Sequence, residues 1–253
     1  MRSSESIESQ LTFLKLFGSG ILGVLKDDYF LNKTVIFRSS PGGGKTSLFR
    51  LFSSESLREI SQHQSLYHEL AMSLNEYGVL DENGPTLLGI YLKMTGYGSI
   101  LDLDISNEHK RQYLFASIAY RSILKALLGV LTLNGLDVKD LERITISKPI
   151  DTVVHSLKLP CNGKELYEQA SAGEQEINKM ITRFDVTLSD DVRPLLDFEY
   201  LKVISPENIL LDGKPVVSKT LIMLDDLHKL RKPQRVDLFN TIIPHTTLSL
   251  IHI

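Results

Sequence analysis

One cysteine, Cys161, is too few for any internal disulfide, so the chain fits a reducing compartment rather than a stapled secreted fold. Charge of one sign is equally scarce. Lys and Arg number 28 against 31 Asp and Glu, a net charge of −3 with a pI of about 6.2. That balance excludes a strongly basic nucleic-acid surface and leaves room only for a local patch. The first ten residues, Met1 to Gln10, lack the apolar core of a signal peptide. The most apolar run, Ser122 to Leu133, is broken by Lys125 and is too short to span a bilayer. Internal repeats and low-complexity tracts are missing, and the seven histidines show no metal-ligand spacing. These absences predict a soluble, cytoplasmic protein without membrane association. Its 253 residues suffice for one large domain or two small ones, with a sizeable core.

What the chain does have is glycine concentrated in one place. Thr34-Val-Ile-Phe-Arg-Ser-Ser-Pro-Gly-Gly-Gly-Lys-Thr-Ser-Leu-Phe49 is a β-like apolar run entering a glycine loop that closes on Lys45-Thr46. A triphosphate needs several backbone N–H groups converging on its oxygens and one mobile cation. Gly42, Gly43 and Gly44 let the chain curl tightly, and the helix expected from Lys45 points its electropositive end at the same phosphates. In this pattern Lys45 reaches the β- and γ-phosphates and the Thr46 hydroxyl ligates Mg²⁺. Ser39, Pro41 and Ser47 complete the cradle. The stretch resembles a nucleotide-binding P-loop, or Walker A motif. It departs from the usual pattern at Ser39, where glycine is expected, while Pro41 stiffens the following segment. The plainer alternative is an ordinary glycine-rich hairpin followed by a lysine.

A second motif supplies a further anchor for a metal. Lys219-Thr-Leu-Ile-Met-Leu-Asp-Asp-Leu-His228 holds four apolar residues, Leu221 to Leu224, that read as a strand buried on both faces, as in parallel sheets. Two carboxylates follow at its C-terminal end, where open α/β sheets place their ligands. This resembles a Walker B element, which implies that Asp225 holds Mg²⁺ and that Asp226 polarises the attacking water as catalytic partner to Lys45. Asp226 stands where many such ATPases carry glutamate, one methylene longer. The competing reading is a buried strand ending in an Asp helix cap. His228 is close enough in sequence to sense phosphate, or is simply part of the following loop.

Periodicity places the remaining elements. Ser6 to Leu25 has helical spacing, split at Gly18 and Gly20. Thr34 to Phe37 is the first core strand, and Thr46 to Phe52 is the helix leaving the loop. Ser53-Ser54 caps another helix carrying Leu57 and Ile60, and Leu66 to Leu74 reads as helix or irregular. Thr86 to Met94 is a second core strand. A long helix from about Asn107 to Leu133 carries a stripe of Phe115, Ile118, Ala119, Ile123, Ala126, Leu127, Val130 and Leu131, and Asn134-Gly135 stops it. Asn162-Gly163 opens a helix to about Phe184, with Leu166, Ala170, Ile177, Ile181 and Phe184 on one side. Ile209 to Leu211 and Pro215 to Val217 form a hairpin around Asp212-Gly213, a type I′ signal. Pro233 opens a last helix carrying Val236, Phe239 and Ile243.

Lys45 and Asp225 are 180 positions apart (225 − 45), more than compact ATPases of the AAA+ type place between these motifs. A mostly helical insertion is therefore expected, with Asn134 to Pro206 the natural segment and a partner surface its natural role. Phe37 to Leu57 is similar to bacterial AAA+ ATPases described as origin-recognition-complex-like. Leu221 to Leu230, with its Asp-Asp pair followed by Leu-His-Lys-Leu, is similar to the signal-transduction (STAND) branch of P-loop proteins. The resemblance covers the two motifs and their flanks. It implies an α/β, three-layer P-loop NTPase sandwich with a largely parallel sheet, binding ATP and Mg²⁺ as a switch coupled to an effector, a protein partner or DNA, with homo-oligomerisation an option. The arginine finger, sensor residues and lid of such ATPases have no counterpart that can be placed here.

Three alternatives remain open. Ser171-Ala-Gly-Glu-Gln175 is faintly similar to the signature of ABC-type repair ATPases. However, 46 positions separate Gln175 from Leu221 (221 − 175), where ABC proteins run almost directly into Walker B. A nucleotide-binding module without turnover is the second alternative, and direct DNA binding by the insertion is the third. A GTPase is disfavoured, since Asn32-Lys33 is followed by Thr34-Val35 and no aspartate is there to read guanine. Finally, the ending Leu248 to Ile253 resembles translated sequencing adapter. It is read as a non-native tail on a single truncated domain spanning 1–253, with a short native terminal strand as the alternative.

Overall fold

Two strands dominated by large aliphatic side chains, β4 (Leu87–Lys93) and β9 (Lys219–Asp225), run parallel, with Leu92 opposite Leu224 and Lys93 opposite Asp225. The computed structural model describes residues 13–14, 22, 35–36, 44–95, 97–149, 157–183, 198–245 and 249–252. On the other side of β9 lies β10 (Ser249–His252), and beyond it β1 (Val35–Ile36), both parallel to it. The order is β1-β10-β9-β4. One strand therefore separates the strand that enters the glycine loop from the strand that ends in the Asp pair, and all four C-termini share one rim. The segment read as a non-native tail supplies that separating strand.

Side chains alternate along a strand, and here both faces are apolar. Leu87, Tyr91, Leu221 and Met223 pack with Leu48, Phe49, Phe52, Leu57 and Ile60. These come from α1 (Lys45–Leu51) and α2 (Ser54–Gln62), with Phe52 between them. Leu88, Ile90, Leu92, Ile222 and Leu224 join a second core on the opposite face, built on α4 (Asn107–Asn134). The fold is α/β: a small parallel sheet with helix-derived cores on both faces, as its doubly apolar strands require.

Local signals explain the helix boundaries. The Ser53 side chain accepts from the Ser56 N–H at 3.3 Å and starts α2. The segment Leu66 to Leu74, read as helix or irregular, gives α3, shifted to His68–Glu76, and a short hairpin of β2 (Leu80–Asp81) and β3 (Gly84–Pro85) leads into β4. In α4, Ser106 accepts from the His109 N–H at 3.2 Å at one end. Gly135, at φ 68°, closes the other. Every residue of the stripe expected on α4 is buried. This helix is long and apolar enough in composition to cross a membrane, beyond what the interrupted run at 122–133 suggests, yet 78% of its most apolar window is buried inside the protein.

A small antiparallel sheet joins the core built on α4 through Ile144, Ile146 and Ile209. Its order is β6 (Cys161–Asn162), β5 (Ile144–Ile146), β7 (Ile209–Leu211) and β8 (Lys214–Pro215). Asp212 and Gly213, at φ 49° and 76°, make the turn between β7 and β8. β8 stops at Pro215 because the Ser218 and Lys219 N–H groups turn to the Thr86 carbonyl and start β9. The expected insertion at 134–206 contributes β5, β6 and α5 (Gly163–Arg183), but the sheet is completed by residues 209–215. α5 packs on α4 through buried Leu166, Ala170 and Ile177. At Gly173 the helices approach so closely that an added Cβ would overlap the Tyr120 ring, and Arg121 pairs with Glu174 at 2.5 Å beside that contact. In the last helix, α6 (Lys232–His245), Gln234 and Leu238 are buried among the described side chains, while Val236 is 47% exposed. Of the expected apolar positions, Val236 is exposed and Phe239 half-buried, and the Gln234 amide donates to the Tyr97 carbonyl at 2.9 Å.

Candidate functional site

The carboxylates at the end of β9 face different ways because backbone direction changes between them. Asp225 is the last strand residue and is 3% exposed. Alternation aims it at the α1 side of the sheet, with Leu221 and Met223. Asp226 takes a left-handed conformation, φ 61°, which aspartate tolerates better than most residues. It starts a single 3₁₀ turn, Leu227–Lys229, without capping that turn through its side chain. The helix-cap reading of Asp226 is therefore not how this carboxylate is used. It points instead toward His228, whose Nδ1 is 4.0 Å from Asp226 Oδ1.

Asp225 is the hub. Thr46, at the start of α1, donates from Oγ1 to Asp225 Oδ2 at 3.0 Å. The Tyr91 hydroxyl on β4 donates to the same oxygen at 2.8 Å. The Asp226 backbone N–H donates to Oδ1 at 2.8 Å, and the Asp225 carbonyl accepts from Met94 N at 2.9 Å. Three donors stabilise a carboxylate that burial alone would disfavour. The Tyr91 phenol is pushed well above its usual pKa, first by burial and then by its bond to Asp225 and the nearby carboxylate charges. Its ring meets Phe49 edge-on, centroids 6.0 Å apart.

Gly44, at φ 78°, turns the chain into α1 in a region open to glycine. Lys45 is the first residue of that helix, Thr46 is exposed and Ser47 is half-buried. Ser39, Pro41, Gly42 and Gly43 lie outside the described residues. Of the predicted set, then, the structure brings together Thr46, Asp225 and Asp226 at the rim where all four strands end. Tyr91 is the member that sequence reasoning placed in the core strand and not in the site. The available signal was its register, two residues before the end of a strand paired with the Asp-Asp strand.

Among the described residues no group of three or more His, Cys, Asp and Glu is arranged to hold a metal. A hydroxyl and one carboxylate, side by side, suit Mg²⁺, which keeps several waters and takes substrate phosphate oxygens. Thr46 and Asp225 therefore fit the cation that the glycine loop implies. Cys161, on the separate antiparallel sheet, is not a ready nucleophile: burial, then Glu165, pushes its thiol up to about 11. The 171–175 segment lies within α5, with Gly173 against Tyr120. No protein-family model, no curated protein and no solved structure matches this chain.

Proposed function

We propose that this chain is a cytoplasmic P-loop switch that binds ATP with Mg²⁺ and turns it over, built as a three-layer sandwich of the AAA+/STAND kind. The observation that carries the reading is the 3.0 Å bond between Thr46 and Asp225, which joins the end of the glycine loop to the end of the carboxylate strand across 179 positions. A glycine-rich hairpin without a phosphate role gives no reason for that particular pairing.

In this reading the amides of Gly42, Gly43 and Gly44 and the Lys45 ammonium bind the phosphates, and Thr46 and Asp225 hold the cation. Bound Mg²⁺ supplies neutralisation of the charge that develops on the phosphoryl oxygens. The Asp226 carboxylate, free of capping duty, orients water and accepts its proton. Ser39 and Pro41 shape the loop, and Ser47 continues the cradle into α1. The helix-rich segment between the motifs offers the surface for a protein partner or effector, or for a second copy of the chain. The charge balance gives no support to a DNA partner.

A module that binds nucleotide without turnover is the second reading, favoured by the short reach of Asp226 and its proximity to His228. Titration with a fluorescent ATP analogue and Mg²⁺ tests the site. Lys45→Ala removes a charged hydrogen bond and is expected to weaken binding about 10- to 100-fold; unchanged affinity overturns the proposal. Asp226→Asn is expected to slow phosphate release while leaving affinity intact. A wild-type protein that binds ATP and never releases phosphate selects the second reading.

A further inference from the structure

We infer that Tyr91 is a positioning residue for the cation side of this site, acting through Asp225 on Thr46. The inference rests on the Mg²⁺–nucleotide reading above and adds to it a residue outside both motifs.

The argument starts from hydroxyl chemistry. A threonine hydroxyl has one proton and two lone pairs. With its proton committed to Asp225 Oδ2 at 3.0 Å, Thr46 turns its lone pairs away from the carboxylate, toward the open rim where a cation would sit. That orientation is only as firm as Asp225 itself. The carboxylate can rotate about its last torsion unless both oxygens are held. Asp226 N–H holds Oδ1 at 2.8 Å, and the Tyr91 hydroxyl holds Oδ2 at 2.8 Å, a shorter bond than the one from Thr46.

Tyr91 is in turn fixed at its other end. Its ring lies edge-on to Phe49, which is fully buried and sits three residues after Thr46 on the same helix. Phe49 and Thr46 therefore share a face of α1. Across the strands, Tyr91 is opposite Met223, two residues before Asp225. The phenol thus spans from α1 packing to the β9 carboxylate, and the order of control is Phe49, Tyr91, Asp225, Thr46. Outer partners of this type fix the orientation of metal-ligating groups, and losing one typically costs about 10- to 100-fold in metal affinity.

Tyr91→Phe removes the hydroxyl and keeps the ring against Phe49. Two quantities separate positioning from mere support: the Mg²⁺ concentration for half-maximal enhancement of ATP-analogue binding, and the affinity for the same analogue in EDTA. The expected result is a rise of about 10-fold in the half-saturating Mg²⁺, with affinity in EDTA unchanged. Mn²⁺ binding followed by electron paramagnetic resonance in the presence of ATP should weaken in parallel. An unchanged Mg²⁺ requirement, or an equal loss with and without Mg²⁺, overturns the inference while leaving the nucleotide site standing. A wild-type protein that binds the analogue under neither condition overturns both. If Tyr91→Phe does not fold, Tyr91→Met, which fills the space without a hydroxyl, carries the same expectation and the same overturning results.

Discussion

The carbonyl oxygen of Phe52 occupies the place that a Cβ on Gly89 would need. Phe52 ends α1 and Gly89 lies in the middle of β4, so helix and strand meet backbone to backbone. Because α1 starts directly at the glycine loop, this contact sets where Thr46 stands relative to Asp225. Gly89→Ala must push the two backbones apart. The expected cost is about 3 kcal/mol, the upper end of ordinary overpacking, with a parallel loss of nucleotide affinity. Urea unfolding gives the first and analogue titration the second; a midpoint equal to wild type would show that the approach is not as tight as described.

Asp225→Asn should separate charge from shape. An amide can turn its oxygen to the Asp226 N–H and its NH₂ to Thr46 and Tyr91, whose hydroxyls can accept as well as donate. The fold should therefore lose no more than about 1.5 kcal/mol, whereas Asp225→Ala should lose a further 1–3 kcal/mol, roughly, because it leaves those donors without a partner. Mg²⁺ enhancement of nucleotide binding should vanish in both. Calorimetric titration with and without Mg²⁺ checks this, and persistent enhancement in the Asn variant would remove Asp225 from the cation site.

Alkaline pH offers an independent probe of the same bond. Burial and then Asp225 raise the Tyr91 pKa in the folded protein; burial also leads the upward shifts of Tyr67, Tyr97 and Tyr113. An unfolded tyrosine loses its proton near pH 10, roughly. Above that pH the folded state retains protons that the unfolded state has released, so stability falls as pH rises. Below it the contribution is fully present. Wild type should lose more unfolding free energy than Tyr91→Phe between pH 8 and pH 11. Equal losses would mean that the phenol is not held in this way.

Gly173→Ala tests what the 171–175 segment is for. Alanine favours a helix interior by about 1 kcal/mol over glycine, but its Cβ would meet the Tyr120 ring. The net expectation is a destabilisation of about 1–2 kcal/mol, relieved by Tyr120→Leu in a double-mutant cycle. Nucleotide affinity should not move. A selective loss of affinity without loss of stability would instead favour a phosphate-gripping role of the ABC kind.

Elements with strong local signals were legible in the residues. β4 and β9 read as core strands because runs such as Leu221 to Leu224 have no polar face to offer water. The length of α4 followed from its 3–4 stripe and from Asn134-Gly135 at its end, while the Ser106 cap at its start emerged only from the structure. The Asp212-Gly213 turn followed from the two residue types that accept positive φ. Other features left no local trace. Val236 and Leu238 are equally apolar, and only the packing of Leu238 into the α4 core shows which is buried. Gly173 looks like a helix weakness until Tyr120 is placed against it.

The amino-acid order by itself determined the longer elements, such as β4, β9, α4 and α5, and which residue types stand at a phosphate-like loop and a paired carboxylate, since those depend on neighbours a few positions away; the short strands β2, β3, β5 and β6 left no such pattern. Tertiary structure alone decided that Thr46, Tyr91 and Asp225 share one hydrogen-bonded cluster, and that residues 249–252 separate β1 from β9. Strand order and register are set by burying two apolar faces at once, a condition on the whole chain that no short window of residues can express.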